Sequence, residues 1–323
     1  MKKSLVALVA VTSLAIGLSG CSSTESADTR PSVVATTSVW ADVASQIAGD
    51  KFQVLALIDK PTQDPHSFEA SARDQLAVSE SSIFIMNGGG YDEFASKLAS
   101  AANVVPFDVY ESHEAAHADE HAGETKDEHA GESEDEHAGE TKDEHDGEHA
   151  HGHDGSDHIW YDLHVVEATA FELSKKMAEL QPENKNVFDE NYTKFATSIE
   201  ELEERAAKIT TKLSYFEAHP LAALLFQELG FENLTPEGFA EAEEAELEPS
   251  PLIMNDAKEL IGGKKVNFVA VNRQATSTSL EQLIAVAEEN MVPVLNFDEL
   301  LPEGSNYQDW MSGILAEIET ISN

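Results

Sequence analysis

Apolar positions along the chain alternate between two periods, one suited to strands and one to helices. Runs rich in β-branched and apolar residues at 33–38, 52–58, 82–86 and 103–107 suit buried strands. Between them, residues 39–47, 71–79 and 91–102 repeat apolar side chains at steps of three and four, which predicts helices. Strand followed by helix, repeated, predicts a parallel sheet covered by helices. Residues 165–180 read as a further helix. From 183 to 213 the steps through Val187, Phe188, Tyr192, Phe195, Ile199, Leu202, Ala206, Ile209 and Leu213 predict one long amphipathic helix. A second alternating half follows, with helices at 219–229, 252–261, 279–290 and 307–321 and strands at 265–271 and 292–295. Residues 238–248 read as an exposed acidic stretch. The pattern predicts an α/β protein with two lobes, each a parallel-type sheet flanked by helices, joined by one long helix.

Two stretches break the pattern. The first begins with Lys2 and Lys3 and runs apolar over residues 5–18, shorter than the roughly 20 residues of a membrane-spanning helix. Small residues follow, ending in Leu18-Ser19-Gly20-Cys21. This arrangement reads as a secretory signal over 1–20. It resembles the bacterial lipoprotein box, which implies lipidation of Cys21 after cleavage; the competing reading is a plain secretory signal with a chance cysteine. Residues 21–31 have no apolar period and read as a flexible tether. The second break spans 111–157, where apolar residues other than Ala almost vanish. An eight-residue unit begins at His121, His129 and His137, keeps phase at His145, and gives way to His149, His151 and His153. No unit has an apolar face to bury, so this is expected to be a disordered, metal-attracting loop. The domain plan is then 32–182 for the first lobe including that loop, 183–213 for the connecting helix and 214–323 for the second lobe.

Charge narrows the partners. In 323 residues there are 20 Lys and Arg against 61 Asp and Glu, a formal charge of −41. Such a chain lacks the clustered cations that phosphate backbones require, so nucleic acid is excluded as a partner. One Cys rules out an intramolecular disulfide and any zinc site built on several thiolates. Thirteen His in so acidic a chain points towards metal.

Outside the loop, four places offer ligands of the metal-binding type. They are Asp64-Pro65-His66-Ser67-Phe68-Glu69, Asp157-His158-Ile159-Trp160-Tyr161-Asp162, His219-Pro220, and Asp298-Glu299 after the last strand. Each lies at a strand end or a helix start, where α/β sheets gather their ligands. Taken singly, each also reads as an ordinary surface or capping residue; His164, on the helix after the second motif, reads as a capping or core histidine.

These motifs, in this order, resemble those of the zinc and manganese solute-binding lipoproteins of bacterial ABC transporters, in the zinc-type branch (cluster A-I) with a His-rich loop. The resemblance runs from Val33 to the C-terminus apart from the loop. It rests also on Val34-Ala35-Thr36-Thr37-Ser38, Ile47-Ala48-Gly49-Asp50, Leu229-Gly230-Phe231 and Glu299-Leu300-Leu301-Pro302-Glu303-Gly304. It implies two α/β lobes on a rigid helix with metal in the cleft, and His66, His158, His219 and Glu299 as ligands, Asp298 being the alternative fourth. It further implies a lipid-anchored, extracytoplasmic receptor, expected to be a monomer, that hands its metal to ABC permease subunits driven by a cytoplasmic ATPase. Leu163 and Asn272 depart from the family pattern, which often has Pro and Glu at those places.

Three imidazoles and one carboxylate suit tetrahedral Zn²⁺, whereas Mn²⁺ prefers more oxygen ligands. In the resembling family, manganese-type sites usually carry a carboxylate where this chain has His219. Zn²⁺ is therefore the expected metal and Mn²⁺ the second choice, while the affinity order also admits Cu²⁺ and Ni²⁺. The loop histidines are expected to bind metal weakly, as a collector or a sensor of excess; the bland reading is a solvating acidic linker. No enzyme is expected. A zinc hydrolase using Glu69 as base would compete, but the chain has no His-Glu-x-x-His or Gly-x-Ser-x-Gly. A surface adhesin or metal buffer working through the loop is the other alternative.

Overall fold

The computed structural model describes residues 30–60, 63–112, 157–244, 247–274 and 277–322. The expected signal, residues 21–29 of the expected tether and the seven loop histidines from His121 to His153 lie outside the described residues, while Arg30 and Pro31 at the end of the tether are already tied to the first lobe, through the carbonyl of Asp50 and the N–H of Gln53.

The first lobe is built on β1 (Ser32–Thr37), β2 (Gln53–Ile58), β3 (Ile83–Met86) and β4 (Phe107–Asp108), in the order β2-β1-β3-β4 and parallel throughout. Val33, Val34 and Ala35 of β1 and all of β3 are buried, as expected of strands covered on both faces. The covering helices are α1 (Ser38–Ala48), α2 (Ala72–Glu80) and α3 (Glu93–Ala102). α2 starts on a reciprocal cap between Ser71 and Asp74. The strand expected over 103–107 is instead the short pair Phe107–Asp108. Pro106 has no N–H to give a ladder, and Val105 before it is 91% exposed.

After a 3₁₀ turn at Ile159–Tyr161, α4 (Leu163–Leu180) begins on the carboxylate of Asp162, which accepts from the N–H groups of His164 and Val165. A second 3₁₀ turn, Pro182–Asn184, leads into α5 (Lys185–Ala206). This is the long helix, but it stops at Ala206 rather than Leu213. The chain beyond it turns so that Ile209 and Leu213 still reach the core without continuing the helix.

The second lobe repeats the plan with β5 (Ser214–Glu217), β6 (Glu232–Asn233), β7 (Phe268–Asn272) and β8 (Val294–Phe297), parallel and in the order β6-β5-β7-β8. Its helices are α6 (Ala223–Glu228), α7 (Phe239–Glu244), α8 (Pro251–Gly262), α9 (Thr278–Glu289) and α10 (Tyr307–Ser322). α6 is shorter than the helix expected from 219. The acidic stretch after Gly238 is not a bare strip: Phe239 at the head of α7 is fully buried against Phe216.

A single apolar cluster crosses both lobes, from Val33, Trp40 and Ile85 through Trp160, Phe195 and Ile199 to Phe226, Phe268, Phe297 and Trp310. α10 reinforces the crossing. The Tyr307 hydroxyl donates to the carbonyl of Trp160 at 2.7 Å, and its backbone N–H donates to Asp42 Oδ2 on α1 at 2.9 Å. Gln308 pairs with Gln46 of α1, and Arg205 at the end of α5 makes a bidentate contact with Glu319. The chain closes back on its own beginning.

Candidate metal centre

In both sheets, candidate side chains project from the carboxyl ends of the strands, into the crevice between the lobes. His66 stands in the loop after β2. Its backbone N–H donates to Asp64 Oδ1 at 2.9 Å, and the Ser67 hydroxyl donates to Asp64 Oδ2 at 2.7 Å. Asp64 thus folds the turn that presents the ring. His158 follows Asp157 at the start of the 3₁₀ turn. His219 comes two residues after β5, where Pro220 delays the next helix. Glu299 comes two residues after β8. One ligand atom from each of the four lies within 4.8 Å of the others.

The pocket behind them is fixed by hydrogen bonds. Gly88, Gly89 and Gly90 all have positive φ, and a Cβ on Gly88 would run into the Asp108 carboxylate. This turn is held by Asp92, which accepts from the N–H groups of Asn87 and Gly88. It swings Tyr91 into the cleft, with its ring 4.9 Å from that of His66 and 5.4 Å from that of His158. Asn87 accepts from Trp40 Nε1 and donates to the carbonyl of Asp157, next to His158. His158 Nδ1 lies 3.4 Å from Asp157 Oδ1, a carboxylate placed as metal-bound imidazoles usually require. Around Glu299, the Tyr91 hydroxyl donates to Oε2 at 3.3 Å and Asn272 Nδ2 donates to Oε1 at 2.6 Å. The backbone N–H of Glu299 donates to Gln274 Oε1 at 2.8 Å.

Burial sets the charge states. It pushes His158 well below the usual imidazole range, helped by the nearby His219 and His66. It lowers His219 to about 4, helped by His66 and opposed by Asp64. Both rings are therefore neutral near pH 7, with lone pairs available to a cation. His219 Nε2 is buried without a hydrogen bond, 3.9 Å from Glu299 Oε1. Burial raises Glu299 as well, against the lowering effect of His66 and its two donors. Removing these side chains from water is costly without a compensating charge, and a divalent cation at their centre would supply one. A zinc shell has bonds of about 2.0–2.1 Å, hence ligand edges of about 3.3 Å. The four groups would draw together by about an ångström, and His66 is the exposed member free to do so.

The structure thus brings His66, His158, His219 and Glu299 together. Asp298 stands apart: its carboxylate faces Arg273 at 3.6 Å and its carbonyl accepts from the Tyr161 hydroxyl. His164 is neither a cap nor a core residue. Its side chain is 68% exposed and pairs with Glu203 on α5 at 3.0 Å. Sequence reasoning passed over Tyr91 and Gln274. Three consecutive glycines before Tyr91 were the available signal for the first, and nothing in sequence spacing pointed to the second.

The family model described as "Zinc-uptake complex component A periplasmic" matches residues 33–321. The metal ABC transporter substrate-binding lipoprotein SloC of Streptococcus mutans is 28% identical over 223 residues, 66% of this chain and 63% of that protein. The manganese ABC transporter substrate-binding lipoprotein PsaA of Streptococcus pneumoniae is 26% identical over 214 residues, 64% of this chain and 61% of that protein. The chain therefore spans about three fifths of the length of these curated relatives. Among solved structures, the laminin-binding protein Lmb of Streptococcus agalactiae, titled as a bifunctional protein with adhesin and metal transporting activity, shares the fold. The TM-score is 0.66 at 17% identity, covering 91% of this chain and all of that one.

Proposed function

The chain belongs to the zinc-uptake complex component A family, and from that premise we propose that it is an extracytoplasmic receptor for Zn²⁺. It captures the ion in the cleft and delivers it to an ABC-type permease for uptake. The observation that carries this reading is the convergence of His66, His158, His219 and Glu299 within 4.8 Å. Three nitrogens and one carboxylate match the donor set of tetrahedral zinc, while manganese is better served by oxygen-rich shells. Relatives named for manganese make Mn²⁺ the competing cargo, so the reading for zinc rests on the donor set and not on the family. A receptor needs no catalytic step. Four protein ligands close the shell, whereas a catalytic zinc keeps a position for water.

Anchoring through a lipidated Cys21 completes the reading. Among the described residues no helix is long and apolar enough to cross a membrane, and the curated relatives are named as lipoproteins. The histidines at 121–153 serve as a weak outer collector.

The test is a titration of Zn²⁺ and Mn²⁺ against a competing chelator, on a soluble form beginning at Ser22, with and without residues 111–157. One tight zinc site that survives loss of the loop and is weakened by His219→Ala is expected. A tight site that disappears with the loop would move the function to the loop and favour a metal buffer.

A further inference from the structure

Asn272 ends β7 and is 3% exposed, within hydrogen-bond reach of the one acidic group in the cluster. Its amide cannot turn over freely. The backbone N–H of Gln274 donates to Asn272 Oδ1 at 2.8 Å, so the oxygen is committed to the loop. The nitrogen must then face Glu299, and it donates to Oε1 at 2.6 Å. On the other side of the same carboxylate, the Tyr91 hydroxyl donates to Oε2. Gln274, whose own backbone holds Asn272, receives the Glu299 N–H through its side chain. Glu299 is gripped at its backbone and at both oxygens, by groups from both lobes.

We propose that Asn272 is a positioning residue that sets which divalent cations the cleft accepts, by holding Glu299 to one-oxygen coordination and keeping a second carboxylate out. The inference rests on the metal-receptor reading. A carboxylate that accepts a hydrogen bond on each oxygen has fewer lone pairs for chelation and cannot rotate freely, which disfavours turning both oxygens to one cation. Aspartate at 272 is nearly isosteric but reverses the chemistry. It would set one carboxylate oxygen against another at the 2.6 Å now spanned by an N–H···O bond. The pair would separate, or a cation would draw both oxygens in. Where the cation draws both in, the shell gains oxygens and coordination number, the direction that favours Mn²⁺ over Zn²⁺.

The experiment compares the whole chain from Ser22 with its Asn272→Asp, Asn272→Ser and Tyr91→Phe variants. Chelator competition gives Kd for Zn²⁺ and Mn²⁺, and the visible spectrum with one equivalent of Co²⁺ reports coordination number. The parent protein is expected to give the intense bands of four-coordinate cobalt. Asn272→Asp is expected to weaken those bands and to move the zinc-to-manganese affinity ratio at least ~10-fold towards manganese, the scale of effects from groups that hydrogen-bond to metal ligands. Asn272→Ser and Tyr91→Phe each free one Glu299 oxygen without adding charge, so they shift the ratio the same way by less. A merely structural role would weaken both metals together and leave the ratio and the cobalt spectrum unchanged. That outcome in the folded variants overturns the proposal while leaving the receptor reading standing. If Asn272→Asp fails to fold, Asn272→Ser decides by the same criterion. A parent protein that takes up neither Zn²⁺ nor Co²⁺ overturns the receptor reading, and the inference with it.

Discussion

In the second lobe, Glu299 is held at its backbone and both oxygens, and His219 sits in a pocket that leaves 11% of its side chain exposed. In the first lobe, His158 is as deeply buried, but His66 is exposed, on a turn tied through Asp64. The two sheets have the same strand order, so the difference does not come from topology. It comes from which loop carries the ligand. His158, His219 and Glu299 sit where the apolar core rises to the cleft, while His66 sits exposed on a loop anchored to the core through Phe68. Three of the four groups are thus largely buried and one is exposed. On the proposed metal-receptor reading, the buried three would lower the cost of ordering the ligands, while the exposed His66 would leave a route for the cation to come and go.

The largest expected effect tests the buried part at its root. Trp40 is fully buried on α1 and donates to Asn87, which in turn fixes the carbonyl beside His158. Trp40→Ala should cost about 3–5 kcal/mol in chemical denaturation and loosen zinc binding as well. Normal affinity in a destabilised protein would separate the core from the site.

A second test uses acid. Metal-free His219 has a pKa lowered from 6.5 to about 4, chiefly by burial. Between those values the unfolded chain binds the proton that the folded chain refuses. The stability tied to neutral His219 is therefore full above about pH 6.5 and is lost as pH falls towards 4. At about 1.4 kcal/mol per unit the loss approaches ~3 kcal/mol. His219→Gln cannot titrate, so its stability relative to the parent should rise by that order over the window. Urea midpoints at several pH values measure it, and a pH-independent difference would deny the burial. The remaining carboxyls cancel, since both proteins share them.

Affinity separates the two kinds of ligand more directly. Removing buried His219 should weaken zinc binding by more than ~100-fold, beyond what outer residues contribute. His66→Ala should cost roughly ten times less, because water can take the position of an exposed ligand, and it should act mainly on the dissociation rate. Equal losses in equilibrium titration would erase the contrast. The smallest effect belongs to the tie between lobes: Tyr307→Phe removes one buried hydrogen bond and should lower stability by about 1 kcal/mol with zinc affinity unchanged.

Much of this was legible in the sequence, for identifiable reasons. Strands β1 to β3 read clearly because their apolar runs are bounded by polar turns. β5 did not: Ser214-Tyr215-Phe216-Glu217 has only two apolar residues and follows Leu213, which fits the helical steps of α5. One of the two inner strands of the second sheet was therefore left without an element, between a helix drawn to 213 and one begun at 219. β6 is two exposed residues and carries no pattern at all. At the site, the motifs around His66 and His158 were visible as short segments, because each is local. The choice between Asp298 and Glu299 was not, because it turns on which way successive side chains point after β8. Asn272 was visible only as a departure, and its partner lies 27 positions away in the chain.

The contact between α10 and α1 has a bearing on the order in which the protein is made. α1 is made before α10, which is added some 260 residues later. Until then the side of α1 that receives Tyr307 and Gln308 has nothing to lie against, and the floor beneath Trp160 lacks the hydroxyl that closes it. These contacts can form only once α10 exists, so one face of the first lobe is finished by a helix from the far end of the described chain.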